Sequence, residues 1–283
     1  MKLGIVLEGG ASRAYFTAGA LDAFDELSIK ADYVIGSSAG IANGISYVSG
    51  QKGRNFIIGT KYLPDRRYMG FWHLLNPFNK SLYNIKFVFE EIPNKHLPFD
   101  YDAFNKSGCE VYATLTDINT GECKYKKVDG SDKRWRSLVA TCALPLLFQP
   151  IKVDGSYYMD GGITDPIPFV KALSDGCDKV IVILTRPRDY VKEEESALEF
   201  CRKIYRKYPD FADTLHRRTE VYNDNHAYAL ELEKEGKIFI LAPEDTDGWK
   251  RTERRPEMIE KIYQAGYDCA MQNIDKLKDY LKK

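Results

Sequence analysis

The stretch Val34-Ile35-Gly36-Ser37-Ser38-Ala39-Gly40 constrains this chain most. A short apolar strand runs into Gly-x-Ser-x-Gly, and a helix-like segment, Ile41 to Val48, follows at once. In that order the motif predicts a sharp turn that lifts Ser38 to the C-terminal edge of a sheet, hydroxyl exposed. Its amide is expected at a helix N-terminus, where N–H groups favour developing negative charge. Gly36 and Gly40 flank the serine because so tight a turn leaves no room for a Cβ. Ser38 itself is expected in a strained backbone conformation, of the kind kept for functional sites. The plainer reading, five small residues that end a strand by chance, does not account for the strand and helix on either side.

A second unit of the same kind precedes it. Leu3 to Leu7 is a continuous apolar run, as in a strand buried on both faces of a parallel sheet. It ends at Glu8-Gly9-Gly10-Ala11-Ser12-Arg13, and a helix is predicted from Ala14 to about Leu27. Two consecutive strand–turn–helix units make neighbouring parallel strands, so the Gly9-Gly10 and Ser38 turns should sit side by side. A dinucleotide fingerprint would need glycine where Ala11 and Ala14 stand, and no Gly-Lys-Ser/Thr is present. The loop reads better as an oxyanion hole, its amides around Gly10 and Ala11 aimed at a carbonyl oxygen under attack by Ser38. Arg13 either holds this loop and adds positive potential or is a solvated arginine in a helix's first turn.

From Gly50 to about Asp102 the pattern is irregular and rich in aromatics, including Tyr68, Phe71, Trp72, Phe78, Tyr83 and Phe89. Such a segment supplies ordinary core, or an acyl-chain pocket or lid beside a nucleophile. Glu110 to Thr116 and Lys124 to Val128 predict a hairpin around Asn119-Thr120-Gly121. Of the Asp-Gly pairs, Asp154-Gly155 lies between two short strand-like pieces and predicts a hairpin turn. Asp160-Gly161-Gly162 ends a strand with no return strand after it, which places Asp160 to reach into a site. Lys179 to Thr185 is another buried strand. Helices are expected over Glu193 to Lys207 and over Phe211 to Glu235, the second broken near Asn223, with a strand at Lys237 to Leu241. A final helix should bury Ile259, Ile262, Ala270, Ile274, Leu277 and Leu281. That face could lie on a membrane surface; docking on the sheet is the favoured expectation. The pattern predicts one continuous α/β unit, 1–190 as the catalytic part and 191–283 as a helical extension with one strand.

Composition enters as a set of exclusions. The 41 Lys and Arg balance 41 Asp and Glu, so no global field draws in nucleic acid or an anionic membrane. Met1-Lys2 leads straight into a strand, an apolar run too short for a signal-peptide core, and no segment approaches bilayer-spanning length. The six scattered cysteines form no C-x-x-C pair and read as reduced core thiols. A cytoplasmic protein with no metal and no cofactor is the expectation. Oligomeric state is left open.

A serine hydrolase ordinarily needs a general base, by default a histidine. None of His73, His96, His216 and His226 follows a strand in the setting a triad histidine occupies. The three motifs Glu8-Gly9-Gly10-Ala11-Ser12-Arg13, Gly36-Ser37-Ser38-Ala39-Gly40 and Asp160-Gly161-Gly162 together resemble the patatin-like phospholipases, as does the proline-flanked Leu144-Pro145 to Pro150. The likeness covers roughly residues 3 to 185. It implies a three-layer α/β/α fold with a mainly parallel central sheet. It implies a Ser-Asp dyad, with Ser38 as nucleophile, Asp160 as base, and Gly9, Gly10 and Ala11 lining the oxyanion hole. Arg13 stands where the family places Arg or Lys. Ala11 and Ala14 stand where glycine is usual, and alanine carries strain wherever φ is positive. The resemblance thus implies an acyl hydrolase acting on lipid or acyl-ester substrates, with transient membrane-surface contact. The alternative is a catalytically weak lipid- or partner-binding module on the same fold. The region beyond about 190 resembles the extension of bacterial intracellular members.

Overall fold

In a computed structural model, the structure describes residues 1–194 and 198–282. Eight strands form one mixed, mostly parallel sheet within a three-layer α/β/α fold: β1 (Leu3–Leu7), β2 (Tyr33–Gly36), β3 (Glu110–Asp117), β4 (Cys123–Lys127), β5 (Ile151–Val153), β6 (Ser156–Asp160), β7 (Lys179–Ile183) and β8 (Phe239–Leu241). The order is β5-β6-β3-β2-β1-β7-β8, with β4 on β3. β3, β2, β1, β7 and β8 run parallel to one another along this path, whereas β4 and β6 pair antiparallel with β3, and β5 antiparallel with β6. The central parallel strands β1, β2 and β7 are largely apolar because both faces are covered: Ile5, Val6, Leu7, Val34, Ile35, Ile181 and Val182 have no exposed surface.

The register at β3 brings two distant strand ends together. Residues 112 and 113 of β3 pair with β2 on one edge and β4 on the other, and residues 115 and 116 pair with β6 and β4. A strand has only two edges, so β2 and β6 abut end to end along the same edge of β3. The end of β6, Asp160, therefore meets the chain leaving β2 at Ser37-Ser38.

Helix α1 (Tyr15–Glu26) links β1 to β2, preceded by a 3₁₀ turn at Ala11–Ala14, and α2 (Ser38–Val48) follows β2. The hairpin β3–β4 and the turn at Asp154-Gly155 form as the sequence predicts, the latter with φ of 46° and 89°. The C-terminal region departs from expectation in two ways. The long helical stretch breaks at Arg217, between Pro209–His216 and Arg218–Lys234, and not near Asn223. Residues 191–194 are not helical and 195–197 lie outside the described residues, so only Leu198–Ile204 of the preceding expected helix is seen. The helix Pro256–Gln272 packs closely on α1 and shares a core cluster with Ile181, Ile183 and Leu241 of the sheet. A Cβ on Gly19 would lie 1.9 Å from the Tyr263 carbonyl oxygen, and one on Gly266 would lie 1.9 Å from that of Phe16. The two backbones thus cross in contact, which only glycine at both positions allows. The last helix, Ile274–Lys282, reaches the sheet through Tyr280, whose hydroxyl accepts from Val180 N at 3.0 Å.

Candidate active site

Ser38 sits at the first residue of α2 with φ of 52°, the left-handed region that costs a non-glycine residue about 1–2 kcal/mol. Neighbouring groups hold it there. Thr141 Oγ1 accepts from Ser38 N at 2.8 Å, Thr114 Oγ1 donates to Gly36 O at 2.8 Å, and Ser37 Oγ donates to Asp165 O at 2.8 Å. The turn is pressed against β1: a Cβ on Gly36 would come within 2.5 Å of Leu7 O, and one on Gly40 within 2.4 Å of Glu8 O. The Ser38 amide, expected to face the developing charge, is instead engaged by Thr141.

The Gly9-Gly10 loop lies beside this turn. A Cβ on Gly9 would be 3.0 Å from Ser38 Cβ, and one on Gly10 would strike Thr185 Oγ1 at 2.6 Å. Among the described residues the Gly10 and Ala11 amides donate to no acceptor, whereas Ser12 N donates to Arg251 O at 3.1 Å. Of the two alanines that stand where glycine is usual, only Ala11 carries strain, with φ of 50°; Ala14 enters α1 with φ of −68°. The loop is clamped from below by Glu8, a buried carboxylate. Glu8 Oε2 accepts from Thr185 N at 2.5 Å and Oε1 from the Tyr222 hydroxyl at 2.9 Å, while Thr185 Oγ1 donates to Gly9 O at 2.8 Å. Burial raises the Glu8 carboxyl, and these hydrogen bonds oppose the rise.

Asp160 caps the 3₁₀ turn Gly161–Ile163, its Oδ1 accepting from Gly162 N at 2.7 Å. Thr116 Oγ1 donates to its carbonyl at 2.8 Å, its amide donates to Ala143 O at 2.9 Å, and Gly161 lets the turn pass Thr114 O, 2.0 Å from where a Cβ would stand. Oδ2 is buried with no hydrogen-bond partner within 3.5 Å. Asp160 is 3% exposed, and its neighbours in the chain Tyr158, Met159 and Ile163 are buried too. Burial raises it above the usual carboxylate range, opposed by the Gly162 N–H, the nearby Ser38 hydroxyl and the charges of Arg218 and Arg251.

Two cavities meet at Ser38, sharing Ala11, Ser38 and Leu144. One is an apolar channel of about 150 Å³ whose walls include Ile45, Tyr68, Tyr83, Phe89, Leu138 and Phe148. The other is a polar basin of about 540 Å³ holding Asp160, Glu8, Arg13, Arg186, Arg218 and Arg251. Arg13 is no solvated arginine: it is 6% exposed, its Nε has no partner, and burial with Arg186 and Arg251 alongside lowers it to about 10. None of the four histidines borders either cavity. The aromatic segment divides: Tyr68, Tyr83, Phe89 and Phe99 line the channel, Tyr62 and Phe87 pack in a separate cluster, and Phe71, Trp72 and Phe78 are exposed. Sequence reasoning missed Thr141, Thr185 and Tyr222, and also Arg186, Arg218 and Arg251. No local pattern marks them, because each reaches the site from a distant segment.

The patatin-like phospholipase family model matches residues 5–173, and a domain of unknown function, DUF6363, matches residues 208–282. The chain belongs to the patatin-like phospholipase family. It is 26% identical over 192 residues to the uncharacterized protein YjjU of Escherichia coli K12, covering 66% of this chain and 52% of that protein. Over 185 residues it is 22% identical to lysophospholipase NTE1 of Saccharomyces cerevisiae and 23% identical to that of Candida glabrata, covering 64% of this chain and 10% of each. The chain thus spans about half of YjjU and a tenth of these NTE1 proteins. Its fold aligns with VipD from Legionella pneumophila at a TM-score of 0.46 and 14% identity, covering 97% of this chain and 67% of VipD.

Proposed function

We propose that this protein is a serine acyl hydrolase that cleaves carboxylic esters of lipids, phospholipid or lysophospholipid, through an acyl-enzyme on Ser38. The observation that carries the proposal is the meeting of four features at one point: the strained Ser38, the unpartnered Asp160 Oδ2, the undonated amides of Gly10 and Ala11, and an apolar channel. In this reading Ser38 Oγ attacks the ester carbonyl carbon while Asp160 Oδ2 takes the hydroxyl proton. The carbonyl oxygen, now negative, is held by the Gly10 and Ala11 amides, where each donor contributes about 2.7–4 kcal/mol of barrier lowering. The intermediate collapses by breaking the bond to the alcohol oxygen, to which Asp160 returns the proton. Water then attacks the acyl-serine with Asp160 again accepting a proton, the carboxylic acid leaves, and Ser38 regains its hydrogen. The acyl chain occupies the channel and the leaving half the basin.

Burial serves the dyad directly. A carboxylate near pKa 3.9 is a weak base for a hydroxyl, and desolvation strengthens it. Family membership and the lysophospholipase relatives support a lipid substrate. Six cysteines, none of them in a disulfide, support a cytoplasmic site of action. No helix among the described residues is long and apolar enough to cross a membrane. A second reading, a lipid-binding module with little turnover, draws support from the strain at Ala11. Fluorophosphonate labelling separates the two. The hydrolase reading expects labelling of the parent and its loss in Ser38→Ala and Asp160→Asn. A parent that binds lysophospholipid but never labels favours the module, and labelling that survives Asp160→Asn refutes the assignment of the base.

A further inference from the structure

Residues 70–82 leave the body of the protein as a loop whose polarity is inverted. Its outer surface carries Phe78 (98% exposed), Leu75 (86%), Phe71 (76%) and Trp72 (52%), four large apolar side chains within eight residues. Its interior is held by polar groups. Asn79 Nδ2 donates to Ser81 O and Tyr83 O at 2.8 Å each, Asn79 Oδ1 accepts from Ile85 N at 3.0 Å, and Ser81 is fully buried. The apolar face is therefore presented by a folded loop. Such a patch marks a surface that another phase or partner covers.

Where the loop is rooted indicates what covers it. Its base is closed by the bridge Met69–Tyr83 and by Gly70 N donating to Leu82 O at 2.9 Å. Tyr68 and Tyr83, on either side of that base, are both walls of the apolar channel, and Tyr83 stacks on Phe148, another wall, at 5.5 Å. Leu82 N donates to Leu147 O at 2.7 Å, fastening the base to the segment that carries Leu144 to Ser38. The exposed patch is thus the outward continuation of the channel wall. Residues 60–91 carry five cations, Lys61, Arg66, Arg67, Lys80 and Lys86, against Asp65, Glu90 and Glu91, a surplus of two positive charges although the whole chain is neutral; Arg67 pairs with Asp65 at 2.7 Å and Lys86 with Glu91 at 3.9 Å. An apolar tip with a tryptophan and a basic surround matches the boundary between acyl chains and anionic head groups.

We propose that residues 71–78 dock the protein on an anionic lipid surface, inserting Phe71, Trp72, Leu75 and Phe78, so that an acyl chain passes from the bilayer into the channel without crossing water. The inference rests on reading the channel as the acyl site, but its test does not need turnover. The full chain is sedimented with vesicles of mixed phosphatidylglycerol and phosphatidylethanolamine, and cleavage of a water-soluble butyrate ester is measured alongside. The parent should pellet with the vesicles. Leu75→Ser/Phe78→Ser should lower the partition coefficient by about tenfold or more, with butyrate hydrolysis retained. Trp72 emission should shift to the blue on adding vesicles, and Trp72→Phe should abolish that shift. A parent that stays in the supernatant, or a double variant that pellets like the parent, overturns the proposal. Concentration-dependent dimerisation of the parent, lost in the double variant and without vesicle binding, assigns the patch to a second copy and equally overturns it. Vesicle binding lost in the variant while neither protein cleaves the butyrate ester upholds the docking surface and removes the hydrolase reading instead.

Discussion

The two cavities that meet at Ser38 are built in opposite ways. The channel is walled mainly by segments close in the chain to the Ser38 turn, α2 and residues 54–99, with a contribution from 135–148. The basin gathers the ends of β1 and β6, the chain after β7, the helix Arg218–Lys234 and the loop at Arg251. One is lined by aromatic and aliphatic side chains, and the other by four arginines and several carboxylates. A flexible apolar chain needs only a slot that excludes water, which a run of aromatics can provide locally. A polar leaving group needs charges placed to within an ångström, and here only long-range topology brings them together.

The sharpest way to test that contrast is to close the channel. Ala42 lines it, and Ala42→Phe should shorten it. Each methylene excluded forfeits about 0.8 kcal/mol, so blocking about four lowers kcat/KM for a hexadecanoyl ester on the order of 100-fold. A butyryl ester should be cleaved almost as before, and equal losses on both esters would mean that the channel does not hold the chain.

A smaller effect is expected from Thr141→Val, which removes the acceptor of the Ser38 amide. A buried N–H left unpaired costs about 1–3 kcal/mol, read as a lower midpoint in denaturant unfolding. Unchanged stability would mean that the strained turn holds without Thr141.

The basin is probed most gently by pH. As a base Asp160 must be ionised, so activity is present above its folded pKa and lost on acidification through it. Burial raises that pKa, so the acid limb should lie above the range of an exposed aspartate. The Arg218 charge favours the carboxylate, so Arg218→Gln should move the limb to higher pH. A downward move would show that Arg218 does not act on Asp160.

The sequence alone settled most of the parallel half of the fold. Two apolar runs, each ending in glycines and followed by a helix, favour neighbouring parallel strands, because a short helical crossover most often sets consecutive strands side by side. That places Gly9 against Ser38, in keeping with the observed register of Leu7 on Gly36. A strained backbone at Ser38 was equally legible from the tight strand-to-helix turn flanked by glycines, whereas its form, a φ of 52° with Gly36 and Gly40 pressed on β1, is seen only in the structure. Asp160 could be nominated from its Asp-Gly-Gly setting, but its meeting with Ser38 was decided by tertiary structure. It depends on β6 taking over the edge of β3 where β2 stops, a pairing between residues 45 apart in the chain, Leu115 and Asp160. The same holds for Tyr222 on Glu8 and for the arginines of the basin, whose neighbourhoods encode only a helix or a loop. Local patterns carry local geometry because backbone sterics act over a few residues. Contacts between distant segments, such as Glu8 with Tyr222, exist only once the sheet has set which strand ends share an edge.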